Sequence, residues 1–183
     1  MPLRLGQPVL MTSPLALPQH PVSPLGFGRC FHIIDIENIA GRADGALYGA
    51  AADRYRAAVR LSRRDLAIVG CDKSGALAAA RALPHCRLVV GYGPDGADNA
   101  LVAAIDERVL HERFTTLVIG SGDHHFAVLA ARAKAAGLTT VAVIGRGKLS
   151  RALAHRVDAV IYLDRDEAVA EVRELTGPGQ VAA

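Results

Sequence analysis

Three aspartates follow, or end, apolar segments of this sequence, and they are its clearest candidates for chemistry. Asp35 lies at the end of the segment 30–36, Asp98 follows the segment 86–90, and Asp123 follows the segment 117–120. If these segments are parallel strands of one sheet, their carboxyl ends share an edge and the three carboxylates meet there. Carboxylates held together repel each other, and a hard divalent cation with oxygen ligands removes that repulsion. The pattern therefore predicts a divalent-metal site.

Each aspartate also has a purely structural explanation. Asp98 and Asp123 stand where predicted helices begin, and aspartate is a preferred N-cap residue. Asp35 is harder to explain in this way, because a carboxylate within an apolar strand is costly unless a partner satisfies it. The conjunction of all three at one edge favours a functional site more strongly than any one of them does alone.

Other motifs near these aspartates are candidates for a different kind of site. Gly120-Ser121-Gly122 is a glycine-rich turn, but the sequence has no G-x-G-x-x-G after the first strand and no Walker pattern. Ser121 lacks the G-x-S-x-G context of a serine nucleophile. His124 and His125 are adjacent, and neighbouring residues on a helix point about 100° apart. We therefore expect at most one of the two histidines to face the site.

Short apolar segments alternate with amphipathic ones along most of the chain. Near-continuous apolar strands are typical of a sheet buried on both faces. The pattern predicts an α/β fold with a doubly wound, mostly parallel sheet of Rossmannoid type and helices on both faces. The predicted strands are 30–36, 66–71, 86–90, 117–120, 140–144 and 159–163, and the predicted helices are 46–61, 74–82, 98–110, 124–136, 149–156 and 166–175.

The chain ends differ from this pattern. Six of the nine prolines lie in residues 1–28, which predicts a flexible, extended N-terminal arm. A single domain is expected over residues 29–176, and a disordered tail over 177–183. The three cysteines, at positions 30, 71 and 86, have no metal-ligand spacing and indicate reduced thiols. No apolar run reaches the roughly 18 residues of a membrane helix, so we expect a cytoplasmic protein without a membrane partner.

Composition permits a nucleic-acid partner without requiring one. The formal net charge is +3, and most of the basic residues are Arg. Arg binds phosphate in a bidentate manner, although a GC-rich genome also favours Arg codons. Aromatic residues make up only 4% and Trp is absent, which argues against binding single strands by stacking on aromatic platforms.

Several motifs together resemble the NYN domain family, the PIN-like ribonucleases. The run His-Ile-Ile-Asp-Ile-Glu-Asn-Ile at 32–39 resembles the family's first strand, in which Asp and Asn frame the first motif. Residues 96–101 resemble the central motif, an Asp that begins a helix. Residues 117–126 resemble the third motif, normally Ser-Gly-Asp-Ser-Asp-Phe, and 137–163 resemble the closing strand-helix-strand. The resemblance spans residues 31–163.

The resemblance implies an endoribonuclease that uses Mg²⁺ or Mn²⁺ to activate water. Asp35, Asp98 and Asp123 would be the metal ligands and catalytic acids, and Asn38 would orient the substrate or a water molecule. Ser121 would support the loop. Basic residues after the fifth strand could hold the RNA backbone, although they could equally be solvated surface charges. The expected substrate-binding residues are Asn38, Ser121, His125, Arg146, Lys148 and Arg151. Self-association of such a small domain is also possible.

One departure leaves a second function open. His125 stands where the family usually has a second acid, which should weaken Mg²⁺ binding or favour Mn²⁺, a metal that tolerates imidazole. Glu37 or Asp106 would then supply the missing negative charge. Alternatively, the domain binds RNA or a protein partner and cuts nothing. A hydrolase forming a phospho-aspartate is disfavoured, because such enzymes typically have D-x-D where this chain has Asp35-Ile36-Glu37.

Overall fold

A computed structural model describes residues 28–163 and the backbone of 171–174. Within it, seven strands form one sheet. They are β1 (Cys30–Asp35), β2 (Leu66–Asp72), β3 (Arg87–Gly91), β4 (Thr116–Gly120), β5 (Thr139–Ile144), β6 (Ala159–Tyr162) and β7 (Glu171–Glu174). Their order is β3-β2-β1-β4-β5-β6-β7; the first six are parallel, and β7 pairs with β6 in the antiparallel direction. The prediction of a mostly parallel sheet is confirmed.

Between Cys30 and Tyr162, seven helices and a 3₁₀ turn at His124–Phe126 connect the strands. The helices are α1 (Ile36–Ala40), α2 (Gly45–Val59), α3 (Ala76–Ala82), α4 (Gly96–Ala103), α5 (Glu107–Arg113), α6 (Ala127–Ala135) and α7 (Arg151–Ala154). The first three pack on one face of the sheet and the last four on the other, each set over its own apolar cluster. The sheet is therefore doubly wound.

Burial on both faces explains why the strands are continuous apolar runs. All six residues of β1 are buried. Ile33 and Ile34 are adjacent in β1, and they belong to the clusters on opposite faces. Successive side chains in a strand point to opposite faces, so a central strand between two helical layers has no position for an exposed polar side chain. None of the described helices is long and apolar enough to cross a membrane.

Two predicted helices are wrong. The helix expected over 98–110 is two helices, because the Asp106 side chain accepts a hydrogen bond from Val109 N–H (3.1 Å) and begins α5 as an N-cap. The strand at Glu171–Glu174 contradicts the helix expected over 166–175. Its pairing with β6 satisfies the backbone hydrogen-bonding groups at the edge of that strand. The remainder of that segment, residues 1–27 of the arm and the 177–183 tail lie outside the described residues.

The topology determines where a ligand site can form. The strand order reverses between β1 and β4, because the chain crosses from β1 outward to β2 and β3 and then returns to β4. In open α/β sheets, the crevice beyond the carboxyl ends of the strands at this reversal is the usual ligand position. The segments that follow β1 and β4 begin at Ile36 and Ser121, and both therefore border this crevice.

Candidate metal centre

Asp35 is the last residue of β1 and the N-cap of α1. Its Oδ1 accepts a hydrogen bond from Asn38 N–H (3.0 Å), and its Oδ2 accepts one from the Ser121 hydroxyl (3.1 Å). The residue is only 6% exposed. Burial raises the pKa of Asp35 to about 7, although the Asn38 hydrogen bond opposes the shift. These two hydrogen bonds reduce the energetic cost of burying the carboxylate. The sequence did not indicate that Asp35 is also an N-cap.

Ser121 connects the two strands at the reversal. Its hydroxyl donates to Asp35 after β1 and accepts a hydrogen bond from Asp123 N–H (3.2 Å) after β4. The residue is completely buried. The hydroxyl therefore acts on the two aspartates, and a direct contact with RNA would require this loop to open.

Asn38, in α1, contacts the two loops that follow β4 and β5. Its side-chain oxygen accepts a hydrogen bond from Gly122 N–H (3.0 Å), and its backbone carbonyl accepts one from Gly147 N–H (3.0 Å). A Cβ at Gly122 would lie 2.2 Å from the Lys148 carbonyl oxygen, and a Cβ at Gly147 would lie 2.2 Å from the Asn38 side-chain oxygen. Only glycine allows these backbones to approach so closely.

Asp98 lies in the first turn of α4, with its side chain 14% exposed. The N-cap of α4 is Asp95, and no cap hydrogen bond involves its side chain, so capping does not explain Asp98. Burial raises the pKa of Asp98, and the carboxylate of Asp123 raises it further. The segment after β3 therefore presents a half-buried acid to the segment that follows β4.

Asp123 caps the 3₁₀ turn and holds both histidine rings. Its Oδ1 accepts a hydrogen bond from His125 N–H (2.9 Å) and lies 2.9 Å from His125 Nδ1 and 2.7 Å from His124 Nδ1. Burial would raise the pKa of Asp123, but the hydrogen bonds from His125 outweigh it and the pKa lies below its usual value. We expected the two rings to point apart. Instead, Nδ1 of each ring lies against the carboxylate of Asp123, the residue that caps the turn.

Only His125 extends from Asp123 to α4. Its Nε2 lies 3.5 Å from Asp95 Oδ2, and its Nδ1 lies 3.9 Å from Asp98 Oδ2. The hydrogen bond to Asp123 raises the pKa of His125, and the charges of Asp123, Asp95 and Asp98 add to the shift. The His124 ring, by contrast, is 68% exposed. His125 therefore bridges carboxylates from two separate crossovers.

The predicted metal ligands are divided between two positions. Asp95, Asp98 and His125 offer ligand atoms within 4.8 Å of one another, and so do Asp123, His124 and His125. No such group among the described residues includes Asp35. Asp35 remains coupled to the site, because the charge of Asp98 contributes to its raised pKa. The group of Asp95, Asp98 and His125 has two carboxylates and one imidazole. It fits a divalent cation, and Mn²⁺ more readily than Mg²⁺.

Asp95 is the acid that the sequence did not single out. It begins α4 with a left-handed backbone (φ 53°) and lies one turn before Asp98, a spacing that could have indicated a shared side of the helix. The two acids expected to compensate for His125 have structural roles. Glu37 accepts hydrogen bonds from Asp72 N–H (2.8 Å) and from the Tyr48 hydroxyl (3.4 Å), and the exposed Asp106 caps α5.

The basic residues predicted to bind RNA lie in the loop after β5 and at the start of α7. Arg146, Lys148 and Arg151 are all exposed. Arg146 N–H donates to the Ile39 carbonyl (3.1 Å), and the Lys148 backbone lies against Gly122. The loop therefore borders the segments that carry Asn38 and Asp123.

Comparison with known protein families identifies the family of this chain. The family model of the NYN domain matches residues 33–164, which include all the acids of the site. A solved structure of a protein of unknown function from Vibrio parahaemolyticus is similar, with a TM-score of 0.47 and 13% identity, over 76% of this chain and 95% of that one. Among curated proteins, none matches. Since the NYN match covers most of the sequence, this chain belongs to the NYN domain family, which has the PIN-like nuclease fold.

Proposed function

We propose that this domain is an endoribonuclease that depends on Mg²⁺ or Mn²⁺ and hydrolyses RNA phosphodiester bonds. One observation carries the proposal: Asp98 from α4 and Asp123, which follows β4, converge on His125, and the charge of Asp98 acts on Asp35 where the strand order reverses. Half-buried carboxylates with opposing pKa shifts in a crevice are typical of functional sites. Family membership supports the same class of reaction.

Asp98 would hold the cation together with Asp95 and His125, whose ligand atoms lie within 4.8 Å of one another. Asp123, from the neighbouring group, would join the coordination by a movement of its side chain. A divalent ion bound by carboxylates lowers the pKa of a water molecule and stabilises the charge on the leaving oxygen of an in-line displacement. Asp35 would add negative charge behind these ligands, and Ser121 would keep its carboxylate in place. Asn38 would hold the loops of Gly122 and Gly147 at the spacing that the site requires.

RNA is the proposed partner, and its backbone would lie along Arg146, Lys148 and Arg151. Their exposed positions next to the crevice support this role. Guanidinium and ammonium groups bind phosphate without regard to base sequence. The contacts would therefore position a strand across the carboxylates and leave sequence preference to other residues. A cytoplasmic location and self-association stay predictions from the sequence.

A second candidate function is RNA binding without cleavage. The observation in its favour is His125, which contacts Asp95, Asp98 and Asp123 from the position of an acid. An imidazolium there offsets part of the negative charge of the carboxylates without a metal. In this case the domain would retain its RNA surface but have no specific affinity for Mg²⁺ or Mn²⁺.

The test is cleavage of an end-labelled single-stranded RNA by the full chain, with Mg²⁺, Mn²⁺ or a chelator. We expect metal-dependent cleavage that is lost in Asp98→Asn and Asp123→Asn. Asp106→Asn is the matched control, because Asp106 is an exposed aspartate that caps the next helix, and cleavage should persist. RNA binding by the same proteins, measured in chelator, separates the two candidates. A folded wild type that binds RNA but cuts nothing with either metal would support the binding-only function.

A further inference from the structure

A second group of metal-ligating side chains lies at the opposite edge of the sheet from the acidic site. Cys30 and His32 are two residues apart in β1, so their side chains leave the same face of the strand. Asp65 directly precedes β2, the neighbour of β1. One ligand atom from each residue lies within 4.8 Å of the other two. Because β1 spans six residues, Cys30 lies about 17 Å and His32 about 10 Å from Asp35 along the strand.

The histidine of this group has a nitrogen without a partner. His32 is 1% exposed, and its Nε2 has no hydrogen-bond partner among the described residues. The nearest acid, Asp65 Oδ2, is 3.8 Å away, which is too far for a hydrogen bond. Nδ1, by contrast, lies 3.0 Å from the Tyr55 hydroxyl. A buried polar atom that lacks a partner is destabilising and calls for an explanation.

We propose that Cys30, His32 and Asp65 form a structural Zn²⁺ site. Thiolate, imidazole and carboxylate are the ligands that Zn²⁺ uses in proteins. Two ligand atoms at about 2.1 Å from one ion lie about 3.4 Å apart at a tetrahedral angle. The observed 3.8 Å between His32 Nε2 and Asp65 Oδ2 needs only a small closure to reach that spacing.

The surroundings orient these ligands as outer partners of a zinc site usually do. The Tyr55 hydroxyl engages Nδ1 of His32 and so leaves Nε2 directed at the group. The Asp65 carboxylate accepts hydrogen bonds from Cys30 N–H (2.9 Å) and Ser62 N–H (2.8 Å), which hold it beside the thiol. Each carboxylate oxygen has a second lone pair, so these bonds are compatible with coordination.

Binding would exchange one proton for the ion. The Cys30 thiol, now 3.4 Å from the Gly28 carbonyl oxygen, would release its proton to solvent and coordinate as a thiolate. Water or the second Asp65 oxygen would complete four ligands. The ion would tie the start of β1 to the segment before β2. Because it lies at the far end of the strand from Asp35, it would stabilise the fold and take no part in hydrolysis.

The test is cobalt substitution in the full chain, which reports the ligand type directly. Co²⁺ bound by a thiolate gives a sulfur-to-cobalt charge-transfer band, which oxygen and imidazole ligands do not give. We expect one Co²⁺ per chain with this band, and its displacement by Zn²⁺. Cys30→Ser should abolish the band. Cys71→Ser is the matched control, since Cys71 is also buried in a central strand but lies near the carboxyl end, and the band should persist.

Zinc-dependent stability provides the second measurement. The measurement uses Asp98→Asn as the background, because this change weakens metal binding at the acidic site. Zn²⁺ should raise the Tm of Asp98→Asn, and adding Cys30→Ser or Asp65→Asn should remove that rise. Absence of the band in the folded wild type would overturn the proposal, and so would a band that survives in Cys30→Ser. The wild-type result decides even if a variant fails to fold.

Discussion

His125 is the side chain on which the metal affinity of the acidic site depends most directly. Its ring contacts the carboxylates of Asp95, Asp98 and Asp123, so it occupies the centre of the acidic site. A cation must either displace this ring or accept it as a ligand. The residue therefore distinguishes a site that binds hard cations strongly from one that is already neutralised.

Replacing His125 by Asp should increase affinity for Mg²⁺ by about tenfold or more. The change adds a carboxylate oxygen beside Asp98 and Asp123, and a charged interaction of this kind contributes about 1.5–3 kcal/mol. Affinity is measured by titration calorimetry with Mg²⁺. His124→Asp is the control, because that ring is 68% exposed and does not reach α4. An equal gain in both variants would show that overall charge, not position, is responsible.

Asp35 should make stability depend on pH between about 4 and 7. Its pKa rises from 3.8 to about 7 in the fold, so the native state binds a proton that the unfolded state releases. The stability this proton contributes is fully present below pH 3.8 and is lost as pH rises towards 7. At about 1.4 kcal/mol per pKa unit, the loss is on the order of 4 kcal/mol.

Asp35→Asn should therefore raise the free energy of unfolding at pH 8 without metal, and should flatten its pH dependence over this range. The measurement is urea unfolding at several pH values. Asp72→Asn is the control with the opposite sign, because hydrogen bonds from Ser74 and Gly75 lower the pKa of Asp72. A destabilised Asp35→Asn at pH 8 would mean that its hydrogen bonds to Asn38 and Ser121 outweigh the cost of burial.

Among the elements, the loops after β4 and β5 form the wall of the site, and their contact is between backbones. A Cβ at Gly122 would lie 2.2 Å from the Lys148 carbonyl oxygen and 2.7 Å from its carbon. Backbone atoms cannot move aside as a flexible side chain can. The two loops must therefore separate if Gly122 is replaced, and Asn38 then loses its hydrogen bond to Gly122 N–H.

Gly122→Ala should destabilise the fold by about 2 kcal/mol or more and weaken Mn²⁺ binding. Gly49→Ala is the matched control, because Gly49 lies within α2 and a Cβ there would meet nothing within 4 Å. Alanine is favoured over glycine in a helix by about 1 kcal/mol, so this control should be stabilised. Both effects are read from thermal unfolding. A neutral Gly122→Ala would mean that the loops are free to separate.

At the scale of the whole molecule, the site edge carries basic residues next to a cluster of acids. The net charge of +3 is modest, so RNA affinity should depend on where the positive charges lie. Lys148 and Arg151 lie on the β5–α7 side of the acidic site. Arg63, in contrast, is exposed in the loop before β2, at the opposite end of the sheet.

The double variant Lys148→Gln/Arg151→Gln should bind single-stranded RNA more weakly and with less dependence on salt. Each phosphate contact contributes about 0.7 to the slope of log affinity against log salt, so the slope should fall by about 1.4. Affinity is measured by fluorescence anisotropy at several salt concentrations in chelator. Arg63→Gln should leave the slope unchanged, and a slope unchanged in the double variant would place RNA elsewhere.

The inner strands of the sheet could be predicted from the sequence, because burial on both faces makes nearly every residue of such a strand apolar. The β1 segment is apolar up to Asp35, and its six residues are all buried. The strand at Glu171–Glu174 could not be predicted in this way. The segment Glu-Val-Arg-Glu contains a single apolar residue, so its composition does not indicate a strand, and only its pairing with β6 does.

The sequence by itself predicted that Asp35, Asp98 and Asp123 come to the same end of the sheet, because parallel strands place their carboxyl ends together. It did not single out Asp95. Tertiary structure alone decided their partners. Ser121 donates to Asp35 across 86 positions, and His125 meets Asp98 from a different crossover. Likewise, Cys30 and His32 acquire Asp65 only when β1 and β2 pair. Local sequence specifies the type and ends of an element, whereas contacts of this kind depend on how elements distant in the sequence pack together.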